Sequence, residues 1–257
     1  MAKKELGQHW LNDQESLTAI IDMAQLSPHD TVLEIGPGKG ALTKELLKKV
    51  SQVVAVEVDK TAIDLLVGTL PEDGGNIFLV HQDIRKFDLS RLPVGYKVVA
   101  NIPYYITSQL IRLLLEAPNQ PTSITLLVQK EVAERMTAKP GKLSVLGISV
   151  QLYADAALGR VVEAHKFDPP PKVDSQIVYL KVFAKPRVDV DPKKFFRLVK
   201  AGFSAKRKKL RGSLSGGLAI SKTEANDLLV SAKVDPSMRA QELSLEQWFQ
   251  LYNKLYN

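Results

Sequence analysis

What most restricts this chain is a repeated change of hydrophobic period between Thr31 and about Val182, where short β-branched runs alternate with helix-like stretches. The runs Thr31-Val32-Leu33-Glu34-Ile35, Gln52-Val53-Val54-Ala55-Val56, Asn76-Ile77-Phe78-Leu79-Val80, Tyr96-Lys97-Val98-Val99-Ala100 and Ser123-Ile124-Thr125-Leu126-Leu127-Val128 read as strands buried on both faces. Between them, residues 40–49, 60–68, 107–116 and 130–137 carry a helical pattern. Two further strands are predicted at Leu158 to Glu163 and Gln176 to Phe183, which makes seven. Such alternation predicts an α/β fold with a mostly parallel seven-stranded sheet covered by helices on both faces. Ligands then belong at the carboxyl ends of the strands.

The segment Phe167-Asp168-Pro169-Pro170-Pro171-Lys172-Val173 interrupts this pattern. Three consecutive prolines hold an extended backbone and cannot sit in a helix or a central strand, so a stiff loop is expected there. Around Lys185 to Pro192 the pattern becomes a short linker. Beyond it Phe195, Phe196, Leu198 and Val199, then Leu228 and Leu229, then Leu245, Trp248, Phe249, Leu251 and Tyr252 fall on helical spacing. The expected domains are 1–187, an α/β body, and 188–257, a small all-helical unit.

Charge follows the same division. The 257 residues carry a formal +7, yet ten Lys and Arg side chains and no acid lie between Pro192 and Thr223, so the rest of the chain is close to −3. With 45% hydrophobic and 25% charged residues the composition is that of a globular protein. No cysteine is present, which excludes disulfides, thiolate metal sites and a cysteine nucleophile. No cluster with metal-ligand spacing is read. Neither a signal-like apolar region near the start nor a run approaching ~18 apolar residues occurs, so a cytoplasmic protein without a membrane segment is expected.

Glu34-Ile35-Gly36-Pro37-Gly38-Lys39-Gly40 follows the first of these strands and opens a helix, where glycines allow a sharp turn and close approach of the backbone to a ligand. A plain structural turn is one reading. The dinucleotide fingerprint fails because Ala41 stands where its third glycine belongs, and no Gly-Lys-Ser/Thr follows for a phosphate loop. A loop of the kind that binds S-adenosylmethionine (SAM) remains, and it gives the α/β body the Rossmann-like form of a SAM-dependent methyltransferase. Glu57, ending the second strand, can accept both hydrogen bonds of a ribose diol. Asp83, just past the third, is placed to accept from an adenine amino group. Each acid taken alone reads more readily as a solvated strand end; the glycine loop, Glu57 and Asp83 in sequence favour the cofactor reading.

Asn101-Ile102-Pro103-Tyr104 stands directly after the fourth strand, beside the expected crevice. The exocyclic amine of adenine is a poor nucleophile because its lone pair is delocalised into the ring. An Asn101 side-chain oxygen and a backbone carbonyl in the Pro103 turn, accepting both N–H bonds, favour the tetrahedral nitrogen able to attack a methyl sulfonium. Tyr104 can stack on the base, with Phe167 as a second face. A capped turn with a core tyrosine is the plainer alternative.

Together the motifs resemble the ribosomal RNA adenine N6 dimethyltransferases. The likeness is carried by Leu6-Gly7-Gln8-His9-Trp10-Leu11-Asn12-Asp13, the Glu34 to Gly40 loop, Asn101 to Tyr104 and Gln129-Lys130-Glu131-Val132-Ala133. It continues through Leu143-Ser144-Val145, Phe167 to Ser175 and Phe203 to Arg211. The resemblance implies dimethylation of two adjacent adenosines in the 3′-terminal hairpin loop of 16S ribosomal RNA, in the small subunit during ribosome assembly, by a monomer using SAM. It also implies cofactor contacts at His9, Leu11, Gly36, Glu57, Asp83 and Asn101. Two departures stand out: His9-Trp10 where the family often has Asn-Phe, and Pro140-Gly141-Lys142 where a Tyr-Gly pair is usual.

Lys206, Arg207, Lys208, Lys209 and Arg211 are the candidate RNA contacts, able to neutralise phosphates without reading sequence. A solvated helix face is the competing reading of these charges. Two other functions stay open: methylation of large-subunit ribosomal RNA, as in macrolide resistance, and an RNA-binding assembly or transcription factor on a disused methyltransferase fold. Gln129-Lys130-Glu131 and Leu143-Ser144-Val145 look more like the small-subunit enzyme, and an intact Asn101 to Tyr104 with Glu57 weighs against a pure binding module.

Overall fold

A computed structural model of the chain describes residues 8–70 and 76–256. Leu6 and Gly7 of the N-terminal motif lie outside the described residues. In chain order the elements are β1 (Trp10–Leu11), α1 (Gln14–Met23), β2 (Thr31–Ile35), α2 (Ala41–Leu47), β3 (Gln52–Glu57), α3 (Lys60–Val67) and β4 (Ile77–His81). Next come β5 (Lys97–Asn101), α4 (Thr107–Leu115), β6 (Ser123–Gln129), α5 (Lys130–Met136), α6 (Val145–Tyr153), β7 (Ala154–Val162), β8 (Phe167–Asp168) and β9 (Ser175–Val182). Four helices complete the chain: α7 (Pro192–Phe203), α8 (Leu210–Leu218), α9 (Lys222–Ser231) and α10 (Leu245–Tyr256).

Seven strands form one sheet in the order β4-β3-β2-β5-β6-β9-β7, and β1 pairs with β8 in a separate two-stranded ladder. The pairs β4/β3, β3/β2, β2/β5 and β5/β6 are parallel, and β9 runs antiparallel to β6. Val32, Leu33, Val98, Val99, Leu126 and Leu127 are fully buried, as strands covered on both faces require. Strand order reverses between β2 and β5, since successive strands step outward through β3 and β4 on one side and through β6 on the other. That switch point opens a crevice at the strands' carboxyl ends. The α/β class and mostly parallel seven-stranded sheet expected from the hydrophobic pattern are what the chain adopts.

The chain divides into two compact units, one of Met1–Glu134 with Asp155–Ala184, the other of Arg135–Ala154 with Lys185–Asn257. The second unit therefore begins near the expected linker but also takes in α6, which a single boundary after residue 187 would assign to the α/β body. α6 has no polar face to betray its environment: Leu146, Ile148, Val150 and Leu152 are all buried, and so are Gly147 and Ser149 between them. Within the helical unit, α7 buries Phe195, Phe196, Leu198 and Val199, and α10 buries Leu245, Trp248, Leu251 and Tyr252. α8 lies tight on α7, because a Cβ on Gly217 would come 2.5 Å from Ala201 Cα. Asp191 caps α7 through the Lys194 N–H at 3.0 Å, and Pro192 takes the first turn, where its missing N–H costs no hydrogen bond.

In the α/β unit, β1 and β8 join the N-terminal segment to the proline-rich loop through the pairs Trp10↔Asp168 and Leu11↔Phe167. Phe167 and Asp168 are thus extended and paired, a refinement of the expected stiff loop; the prolines that follow stay outside the sheets.

Candidate active site

One cavity opens at the switch point, walled by Gln8 to Asn12, by Glu34 to Lys39 at the end of β2, by Val56 to Val58 at the end of β3, by Gln82 to Arg85 after β4, and by Asn101 to Ile106 at the end of β5. Four neighbouring strand ends thus each contribute a wall, in the spatial order β4, β3, β2, β5. At about 4.8 Å between strands they define a trough roughly 14 Å long, suited to an extended ligand.

The wall at the end of β2 is rich in glycine. Gly36, Gly38 and Gly40 have φ of +68°, +56° and +84°, values that other residues adopt only with strain. A Cβ on Gly36 would meet nothing within 4 Å, whereas one on Gly40 would strike Leu66 Cδ1 at 2.4 Å. Gly36 therefore leaves room on the cavity side, and Gly40 lets α2 start against α3. Trp10 closes over this loop, its ring 3.2 Å from where a Gly38 Cβ would stand, with Lys39 Nζ 3.6 Å from the ring centroid.

Glu57 ends β3 with 6% exposure. Its Oε1 accepts the N–H groups of Val58 at 2.8 Å and Asp59 at 2.9 Å, and its Oε2 that of Gly38 at 3.3 Å. These bonds orient the carboxylate and tie the glycine loop to the neighbouring strand. Asp83 accepts the Arg85 backbone N–H at 2.9 Å and pairs with the Arg85 guanidinium. That pairing holds the Asp83 carboxyl below the usual range although partial burial pushes the other way.

Glu34, inside β2, has 1% exposure and also lines the cavity. Burial pushes its carboxyl up to about 8, offset in part by the Thr43 hydroxyl and reinforced by the charge of Glu57. Its Oε2 has no hydrogen-bond partner among the described residues. A buried, orphaned carboxyl oxygen beside a second carboxylate suits a cationic ligand.

Asn101 terminates β5, and its Nδ2 donates to the His9 carbonyl at 3.4 Å, which leaves Oδ1 as its remaining acceptor. Ile102 is buried, and Pro103 leads into a short 3₁₀ turn, Tyr104–Ile106. Two contacts hold Tyr104: its hydroxyl shares a 2.7 Å hydrogen bond with Ser175 Oγ, and its ring stacks on that of His9 at 5.9 Å and 23°. His9 Nδ1 in turn donates to the Pro169 carbonyl at 2.7 Å. Burial also pushes the Tyr104 hydroxyl up, so it stays protonated at neutral pH.

His9, Leu11, Gly36, Glu57, Asp83, Asn101, Ile102, Pro103 and Tyr104 therefore share one cavity. Phe167 does not. It has 4% exposure, pairs with Leu11 and packs in the core with Leu17 and Ile177, so the expected second stacking face for a base is instead a core residue here. Lys206, Arg207, Lys208, Lys209 and Arg211 lie in the helical unit at and after the α7–α8 connection, all five exposed. Sequence reading passed over Gln8, Trp10, Glu34 and Arg85 as wall residues. Only Glu34 carried a signal, an acid within an otherwise apolar buried strand.

Comparison with known proteins agrees with this geometry. The family profile "Ribosomal RNA adenine dimethylase" matches residues 1–257. The chain is similar to a ribosomal RNA small subunit methyltransferase A of Dehalococcoides mccartyi (strain CBDB1), 45% identical over 97% of this chain and 87% of that one. Among solved structures it is similar to a dimethyladenosine transferase from Plasmodium falciparum, with TM-score 0.79 and 28% identity over 95% of this chain and 96% of that one. It is also similar to the 23S rRNA methyltransferase ErmE, with TM-score 0.75 and 29% identity over 96% of this chain and all of that one. A glycine-lined trough beside an Asn-Ile-Pro-Tyr turn, in a chain matched from end to end, makes this protein a member of the ribosomal RNA adenine dimethylase family.

Proposed function

We propose that this enzyme uses SAM to dimethylate N6 of two adjacent adenosines in the 3′-terminal hairpin loop of 16S ribosomal RNA, within the small subunit during ribosome biogenesis. The observation that carries the reading is the position of Asn101, whose acceptor stands at the end of β5 in the same trough as Gly36, Glu57 and Asp83. When bound, SAM supplies an electrophilic methyl group on a sulfonium.

The residues fit such a ligand along the whole trough. Asp83 would accept from the adenine amino group and Glu57 from the ribose diol, while the Gly36 backbone leaves space for close approach. Glu34, whose Oε2 is without a hydrogen-bond partner among the described residues, and Glu57 place two carboxyl groups with acceptor oxygens on the wall. His9 and Leu11 contribute from the N-terminal wall, which the β1–β8 ladder fixes. On the substrate side, Asn101 Oδ1 and the carbonyl between Ile102 and Pro103 would accept the two N6–H bonds, localising the nitrogen lone pair for attack on the methyl carbon. Tyr104, pinned at both its hydroxyl and one face, offers a fixed platform for the base. The target must leave its stack to reach this depth, which an unpaired loop permits at a cost of a few kcal/mol. Lys206 to Arg211 would neutralise phosphates elsewhere on the RNA.

Likeness to a 23S rRNA methyltransferase makes large-subunit RNA the reading to exclude. Labelled SAM offered separately with unmethylated small subunits and with naked large-subunit RNA, followed by mapping of the modified base, tests both. Label on two adjacent adenosines of the small-subunit RNA is expected; label on large-subunit RNA alone would overturn the substrate assignment.

A further inference from the structure

Two tyrosines stand side by side in the turn after β5, and the fold treats them oppositely. Tyr104 is held by Ser175 and His9, whereas Tyr105, also on the cavity wall, keeps 63% of its surface exposed. In a 3₁₀ turn of three residues per revolution, consecutive side chains diverge by about 120°, so the two rings cannot stack on one base. An exposed aromatic ring at the mouth of a site contributes little to folding, since its apolar surface stays in water. Arg85, whose side chain is 47% exposed and pairs with Asp83, lines the same cavity as Tyr105. An exposed ring on the wall of a deep site is suited to a nucleotide, with its base stacked on the ring.

We propose that Tyr105 is the stacking platform for the nucleotide that neighbours the adenosine held at Asn101 and Tyr104. This rests on the reading of the cavity as the site of adenine methylation. Its consequence is a division of labour: Tyr104 holds the base being modified, and Tyr105 compensates the neighbour for the stacking lost when the target is withdrawn. Where two adjacent adenosines are both substrates, the second would wait on Tyr105 while the first is methylated.

Steady-state methylation of unmodified small subunits, with Tyr105→Ala, Tyr105→Leu and Tyr105→Phe compared with the wild type, tests the inference, with SAM affinity measured by calorimetry in parallel. Tyr105→Ala and Tyr105→Leu are expected to raise KM for the RNA substrate about tenfold or more, with a smaller change in kcat. Tyr105→Phe, which keeps the ring, is expected to restore the wild-type KM, and SAM affinity should hold throughout. Leucine matching phenylalanine, or alanine matching the wild type, would overturn the assignment, because either result removes the need for a ring. A wild-type enzyme that yields no dimethyladenosine in this assay would instead overturn the proposed function.

Discussion

Asn101 and Glu34 face one cavity but depend on pH in different ways. Asn101 has no titratable group, and its proposed work is to accept an N–H bond. Asn101→Ala is expected to lower kcat by roughly a hundredfold or more, the usual cost of removing one preorganised hydrogen-bonding group at a reacting centre, with RNA binding retained. Filter binding of RNA beside methyl-transfer rates checks both halves. Glu34 is protonated in the folded protein up to about pH 8 but ionises near 4.5 once unfolded. Between those values the unfolded state binds fewer protons, so this residue makes stability fall as pH rises. Glu34→Gln should remove that slope, flattening the loss between pH 5 and 8 by an amount on the order of a few kcal/mol at most. Urea unfolding of both proteins at the two pH values measures it, and equal slopes would contradict a buried neutral carboxyl. At this scale the sequence was informative where chemistry and position coincided, as at Glu57, Asp83 and Asn101 on strand ends. It misplaced Phe167 as a stacking face, because an aromatic residue reads alike in a core and at a stacking site until its partner Leu11 is known.

Among the elements, the strands of the seven-stranded sheet were legible because each is short, apolar and bounded by a polar turn, whereas the two-residue β1 and β8 are too short to show a period. α1 and α6 were not legible either, for opposite reasons. α1 shows Leu17, Ile20, Ile21 and Ala24 on one face but lies ahead of the alternating pattern, while α6 is apolar on every side and so has no period to detect. The glycine loop is the element where shape matters most. Gly40→Ala combines an unfavourable left-handed φ of +84° with a 2.4 Å clash against Leu66, and is expected to destabilise the protein by about 1–3 kcal/mol. Gly36→Ala carries the backbone strain without a clash, so it should cost less stability. If the cavity takes SAM as proposed, it should nevertheless weaken SAM binding. Thermal melts with and without SAM separate the two effects, since a ligand that binds only the folded state raises Tm in proportion to its affinity.

At the scale of the molecule, the longest run of positive charge belongs to the helical unit and the cavity to residues of the α/β unit. Lys193, Arg197 and Lys200 follow one face of α7, and the chain then runs through Lys206, Arg207, Lys208, Lys209 and Arg211, all exposed. If the last five contact phosphate, replacing them with glutamine should reduce the salt dependence of RNA binding by as much as about four units of slope in log K against log salt. SAM affinity should be unaffected, because none of the five lines the cavity. Binding that weakens with an unchanged slope would show that these cations act other than through counterion release. The charge run was the part of the helical unit most visible in the sequence. Its second stretch, Arg135–Ala154, was hidden because it sits between two strands of the sheet.

That insertion bears on how such proteins can be taken apart or recombined. β7 and β9 are laid down only after the chain has contributed α6 to the helical unit, so one cut near residue 187 does not free an intact half. A shortened chain ending there would keep α6 without α7 and α10, two helices it packs against, and should aggregate or bind a hydrophobic dye. Exchanging the helical unit between relatives therefore needs splices at three places, around 134, 155 and 184, and a graft joined only at the last would carry a mismatched helix into its own core.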